Sequence, residues 1–275
     1  MPGRETALVI GAISRDLDAA HPAARETAGG VVHHAGLALA RLGTRPRVVT
    51  RVRPDDDRLL GPLRSAGVEV VAHPSRRTTT YRNDYSGLSD AHELCAVSDT
   101  LHAADIPSDW RSADLIQLGP LHRRDLDPEL PQQLDGRIGI DIQGLVRLPG
   151  PALLAPYPKL EVLLDRVQVL QASESELPSL LAGDTVERFV RRHGIEEMIV
   201  TLGARGSVLL HRGRRLEVPA LEVAGRHPVG AGDVFLASYL VARARSSSPM
   251  DAARFATRIC AAKIDTGELP EDPSA

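Results

Sequence analysis

Residues 227–243 read HPVGAGDVFLASYLVAR, and in them three small residues, Gly230, Ala231 and Gly232, lead directly into an acid, Asp233. An apolar run at helical spacing follows, with Val234, Leu236, Ala237, Leu240 and Val241. A glycine turn that opens a helix offers unpaired backbone N–H groups and a partial positive charge, which together make an anion site. The acid in the first turn can cap the helix, or it can take a proton from the anion's reaction partner. The helix dipole is expected to keep its carboxylate ionised at neutral pH.

Other stretches are less telling one at a time. TLGARGS (201–207) is a strand running into a turn with Gly203 and Gly206. AGGVVHHAGLALARLG (28–43) is a Gly-Gly turn into an amphipathic helix that Gly43 stops. Its adjacent His33 and His34 do not face each other on a helix, and no Cys or Glu stands at ligand spacing, so no metal is expected there. SESE (173–176) follows a strand end and reads as an N-cap serine with acids in the first turn. There is no GxxxxGK[ST] loop, which argues against a P-loop nucleotide site.

These residues need a scaffold, and the apolar pattern supplies one. Segments 7–13, 46–52, 115–119, 137–142, 167–172 and 197–203 read as short buried parallel strands. Segments 30–42, 55–66, 184–193, 231–245 and 251–264 read as helices. The alternation implies a three-layer α/β/α sandwich with a mostly parallel central sheet, whose ligands gather beyond the carboxyl ends of the strands. Residues 76–87 and 92–100 differ: they alternate polar and apolar residues, a Ser-Gly turn follows the first, and no helix separates them. Such small antiparallel strands in an α/β chain suggest a flap or lid.

Composition narrows the class. The 275 residues are 43% hydrophobic, enough for a sizeable core. With 33 basic and 36 acidic residues the net charge is −3, which gives no basic excess to attract nucleic acid. Two cysteines, Cys95 and Cys260, make no disulfide framework. The first apolar run, ALVIGAI, is too short to span a membrane and lacks the flanks of a signal peptide. The expectation is a cytoplasmic protein that binds neither nucleic acid nor membrane.

Taken in order, the Gly-Gly helix near residue 30, the polar-acidic turn near 175, Thr-x-Gly-x-x-Gly near 201 and Gly-Ala-Gly-Asp near 230 resemble the ribokinase-like, phosphofructokinase-B family of sugar kinases. The resemblance runs from about Leu8 to Gly267, with VGAGDVF its most specific element. GAISRD is similar to the family's first strand and turn, and the lid-like strands are similar to the β lid that the family closes over its sugar. PSRRTTTYRNDYSG, LIQLGPLHRRDLDPEL and GIDIQGLVR look like the short branch that includes myo-inositol kinases. The resemblance implies a single kinase domain over 1–275, with a lid mainly from about 76–100 and part of 14–30. It leaves the oligomeric state open, with a homodimer through the lid as one form.

The resemblance also implies roles. Gly230, Ala231, Gly232 and Asp233 form the anion hole and supply the base. Asp16 takes two hydroxyls of the polyol, since a carboxylate accepts from a vicinal diol. Gly29 and Gly30 let the backbone approach the sugar. Thr201, Gly203 and Gly206 line the ATP. Glu176 organises Mg2+ and its waters. Three positions depart from the family pattern: Ser173 replaces the Asn of Asn-x-x-Glu, His34 replaces an Asn after Gly-Gly, and His227–Pro228 replace Asp-Thr. His34 remains a candidate substrate contact and Ser173 a cofactor contact. Arg147 in DIQGLVR suits phosphates or substrate as well as it suits the surface.

The reading is an ATP-dependent kinase for a small polyol, a cyclitol such as myo-inositol or a sugar. A nucleoside kinase is the second reading, with Tyr81 and Tyr85 in the lid as the residues able to stack on a base. Phe189, Phe235 and Phe255 fall on predicted helices and belong to the core. A catalytically inactive sugar- or nucleotide-binding regulator is the third, and retention of Asp233 speaks against it.

Overall fold

The computed structural model describes residues 4–18, 26–83, 92–148, 154–225 and 227–270. Its first strand, β1 (Thr6–Gly11), sends Ala7 and Val9 into one hydrophobic core and Leu8 and Ile10 into another. Alternate side chains point to opposite faces, so a strand apolar at every position is covered on both sides. The chain then makes a hairpin, β2 (Ser14–Asp18) and β3 (Glu26–Gly29), before entering helix α1 (Val31–Arg41) and strand β4 (Arg45–Val52). A 3-10 segment, Pro54–Leu60, and the short α2 (Gly61–Ser65) lead to β5 (Glu69–Pro74). Strands β6 (Thr79–Asn83), β7 (His92–Ala96), β8 (Ser112–Gly119) and β9 (Asp135–Asp141) follow.

Beyond them come α3 (Gln143–Val146), α4 (Leu160–Leu164), β10 (Val169–Ser173), α5 (Leu177–Leu181) and α6 (Val186–Arg192). The chain closes with β11 (Glu197–Thr201), β12 (Ser207–His211), β13 (Arg214–Val218), α7 (Ala231–Ala244) and α8 (Pro249–Thr266). Nine strands form the main sheet in the order β13-β12-β11-β10-β9-β8-β1-β4-β5, and β12 alone runs against the others. Helices α1, α7 and α8 bury Val31, Leu39, Leu236, Leu240 and Ile259 on one face. Leu163, Leu180 and Phe189 from α4, α5 and α6 cover the other. The fold is a three-layer α/β/α sandwich, as expected.

A second sheet, in the order β3-β2-β6-β7, is the small lid sheet. It is antiparallel at both ends, but β2 and β6 run parallel. Two expectations change. Segment 55–66 is not one helix, because Pro62 cannot donate an i→i−4 bond, and the chain tightens into a 3-10 run before α2. The sequence reading also passed over β5, β12 and β13. The Ser-Gly turn at 86–87 and Tyr85 lie outside the described residues.

Candidate active site

In the main sheet the strand order reverses at β1, which leads outward to β4 and β5 while the chain later returns to its other side at β8. Open α/β sheets bind ligands in the crevice at such a switch point. Here the two strands end on facing glycines, Gly11 and Gly119. A Cβ on Gly11 would lie 2.3 Å from Gly119 O, and one on Gly119 would lie 2.2 Å from Val31 Cγ1. The glycines thus let β1, β8 and the start of α1 close up under a cavity of about 1560 Å³.

Helix α7 starts at the floor of this cavity. Gly230 has φ +74°, a left-handed conformation that favours glycine. Strand glutamines hold the first turn from below: Gln171 Nε2 donates to Gly232 O at 2.9 Å, and Gln117 Nε2 to Asp233 O at 3.3 Å. Ala231 N–H is already taken by Pro228 O at 2.9 Å, so it is not a free donor of the anion hole as expected. No acceptor takes the N–H groups of Gly230, Gly232 or Asp233 among the described residues.

Asp233 is buried, and its Oδ1 has no hydrogen-bond partner. Burial and the neighbouring Asp141 push its pKa up to about 8, against the pull of Lys263 and Arg147. This corrects the expectation of an ionised carboxylate: loss of water around the carboxylate outweighs the helix dipole. Asp141, at the end of β9, accepts from Gln171 Nε2 at 2.7 Å and from Gln143 N–H at 2.9 Å. Burial and the nearby Glu176 raise its pKa as well. Glu176 is buried, and its Oε2 accepts from Ser173 N–H at 2.8 Å. Its Oε1 lies 3.1 Å from Arg147 Nη2 but has no hydrogen bond of good geometry. Arg147 is therefore paired with Glu176 and acts on Asp141 and Asp233 as well, beside Lys263 as the second cation near Asp233.

The lid also borders the cavity. Asp16, on β2, is 7% exposed, and its Oδ1 accepts from Ser14 Oγ at 2.7 Å. Burial raises its pKa. Gly29 does not border the cavity. Its missing side chain makes room for Asp16, since a Cβ there would lie 2.2 Å from Asp16 Oδ2. Gly30 does border the cavity, with φ +85°. Tyr81 lines the cavity as well, its hydroxyl donating to Leu121 O at 2.9 Å. His34 lines the cavity beside Gly230. Burial pulls its pKa down to about 3, and its Nε2 has no partner.

Thr201 and Ser173 border the cavity, but Gly203 and Gly206 do not. Leu202 N–H donates to Gly206 O at 2.8 Å, and a Cβ on Gly206 would lie 2.1 Å from Val218 O. These two glycines shape the β11–β12 turn, as the plainer reading of TLGARGS had it. Asp141, Gln171 and Lys263 were not singled out from the sequence, yet all three border the cavity, as does His33, which was weighed there only as a metal ligand. Asp141 carried a signal, because it is an acid at the carboxyl end of a predicted parallel strand. Among the described residues no group of three or more His, Cys, Asp or Glu is arranged to hold a metal.

An open α/β sheet with its site at the switch point, roofed by a four-stranded lid sheet, defines a ribokinase-like fold. The chain matches the pfkB family of carbohydrate kinases over residues 5–269 and belongs to that family, whose members transfer a phosphoryl group to an alcohol. Ribokinase of Arabidopsis thaliana is 28% identical over 165 residues, covering 52% of this chain and 42% of that relative's length. A solved pyrophosphate-dependent kinase of the ribokinase family, complexed with a pyrophosphate analogue and myo-inositol, aligns with TM-score 0.83 at 22% identity over 98% of both chains. Ribokinase from Thermotoga maritima aligns with TM-score 0.73 at 19% identity, over 97% of this chain and 96% of its own. No helix among the described residues is long and apolar enough to cross a membrane.

Proposed function

We propose that this chain transfers the γ-phosphoryl group of ATP to a hydroxyl of a small polyol, a cyclitol such as myo-inositol or a sugar. The observation that carries the reading is one cavity holding both Asp233, buried with an unpartnered oxygen at a turn of free N–H groups, and Asp16, buried in the lid. Asp16 anchors the polyol as an acceptor of its hydroxyls. The reacting hydroxyl oxygen bonds to the γ-phosphorus as the bond to ADP breaks, and its proton passes to Asp233. Free N–H groups of the α7 turn hold the charge that develops on the transferred group. Arg147 lies beside the same carboxylates and suits a phosphate oxygen.

Glu176 fits a hydrated Mg2+, because its Oε1 is buried without a hydrogen bond. Mg2+ keeps several waters and rarely takes an all-protein cage, which agrees with a single carboxylate oxygen that lacks a well-formed hydrogen bond and would exchange its ion pair with Arg147 for the metal. Bound there, it would neutralise charge on the donor phosphates. A polyol is favoured over a nucleoside because, among the described residues, Tyr81 is the single Phe, Tyr or Trp on the cavity wall, and its hydroxyl is committed to Leu121.

The test is a product assay across cyclitols, pentoses, hexoses and nucleosides, each with ATP and with pyrophosphate as donor. Pyrophosphate is included because the solved relative above is dependent on it. Phosphorylated polyol formed with ATP supports the proposal. Transfer from pyrophosphate alone overturns the donor, and transfer to nucleosides alone overturns the acceptor.

A further inference from the structure

One face of α8 grips the loop that precedes the anion hole. Cys260, Lys263, Ile264 and Gly267 are spaced to share that face. Cys260 Sγ lies 3.5 Å from Ala231 O, and His227 N–H donates to Ile264 O at 3.1 Å. A Cβ on Gly267 would lie 3.4 Å from the His227 ring. Lys263 is at the centre of the grip. Its ammonium donates to His227 O at 2.6 Å and also to Val229 O.

Packing alone does not account for a cation here. Lys263 is 8% exposed, on a helix whose buried residues are otherwise Ala252, Ala253, Ala256 and Ile259. A buried ammonium is costly unless a charge partner or hydrogen bonds compensate it. Among the described residues no carboxylate reaches ion-pair distance of it. Two carbonyls take two of its three protons. The residue borders the cavity beside Gly230, where the N–H groups of the α7 turn also await an acceptor. An anion placed on that turn would meet both.

We propose that Lys263 is the cation of the phosphoryl-donor subsite: two of its protons fix the 227–229 loop and the third takes an oxygen of the donor's terminal phosphate. This assignment rests on the kinase reading above. It makes Lys263 a group that touches the donor and also a positioning residue for the anion hole.

The test compares the parent with Lys263→Met, Lys263→Gln and Lys263→Arg. It measures binding of inorganic pyrophosphate and of ATP by calorimetry, and separate KM values for donor and polyol. A charge-assisted hydrogen bond corresponds to roughly a ten- to hundredfold change in affinity. Met and Gln should weaken donor binding and raise donor KM by that factor. Arg should retain most of the affinity, and polyol KM should move by less than about twofold. Gln can still bond to the two carbonyls without charge, so a Gln variant with the parent's donor affinity overturns the proposal. So does a parallel rise of both KM values. If Met does not fold, the contrast of Gln with Arg still decides. If the parent phosphorylates no polyol, the kinase reading falls, while the binding titrations still decide Lys263.

Discussion

The imidazole of His34 occupies the space that a side chain on Gly230 would need. A Cβ at residue 230 would lie 2.2 to 2.5 Å from three atoms of that ring. Helix α1 thus walls the anion hole directly, and the glycine is required twice, by its φ of +74° and by the ring. Gly230→Ala should lower both stability and kcat. The left-handed conformation alone costs about 1–2 kcal/mol, which is several degrees of Tm in a chain of this size. Adding His34→Ala should return the part of the loss due to the ring and leave the part due to φ. A double variant no better than the single one would remove the ring from the explanation.

Asp233→Asn tests cap against base. Asn caps a helix about as well as Asp, but it cannot take a proton. General-base catalysis contributes about 10²–10⁴-fold. The variant should fold and bind donor and polyol, while kcat falls by that range. Its stability should also change with pH in a stated sense. Burial holds the folded-state pKa of Asp233 near 8, above its ordinary value, so the protonated form favours the fold. That contribution is full below about pH 4 and is lost as pH rises through 8. Asn does not titrate, so the Tm difference in its favour should widen between pH 5 and pH 8.

The rate should carry the same signature. If Asp233 must be ionised to act, kcat/KM for the polyol climbs about tenfold per pH unit and levels off near pH 8. Asp141 is the charged neighbour that raises this pKa, whereas Lys263 and Arg147 lower it. Asp141→Asn should therefore move the rising limb toward acid. A profile flat from pH 6 to 9 in the parent would show that another step or group limits the reaction.

Asp16 and Gly29 should behave as a pair. Asp16→Asn loses charged acceptance of a hydroxyl, a bond of about 1.5–3 kcal/mol, so polyol KM should rise tenfold or more with donor KM unchanged. Gly29→Ala would place a Cβ 2.2 Å from Asp16 Oδ2 and 2.8 Å from Ser14 Oγ. It should reproduce the Asp16 phenotype by displacing the carboxylate, with Asp16 itself unsubstituted. Separate KM measurements on the two variants check this, and a Gly29→Ala enzyme with normal polyol KM would contradict the geometry.

Legibility in the sequence followed the strength of local signals. Buried parallel strands announce themselves as apolar runs, and β1, β4, β8, β9, β10 and β11 were all read. The β12–β13 hairpin was not, because its turn is Arg212–Gly213, with φ of +49° and +74°. That is the backbone of a two-residue hairpin turn, but Arg is not one of the residues that mark it. The Gly-Ala-Gly-Asp turn was legible because it combines flexibility, small size and an acid at a helix start. The ionisation state of Asp233 was not, since it depends first on burial and then on Asp141 and Arg147 from the β9–α3 segment and Lys263 from α8. Lys263, one of the chain's two lysines, carried no local signal, and only the fold turns it inward.

The chain leaves β1, makes the lid hairpin of β2 and β3, and passes at once into α1. Gly29, which seats Asp16, closes the hairpin, and His34, which abuts Gly230, follows within the first turn and a half of the helix. Under the proposed function, the lid strand that seats Asp16 and the helix that walls the anion hole thus follow one another directly in the chain, from Gly29 to Val31. Only Gly30, at φ +85°, stands between the last lid residue and the helix that carries His34, so a shift of the lid strand has a short path to that wall. Any such coupling is reciprocal: whatever factor the polyol contributes to donor affinity, the donor returns to the polyol.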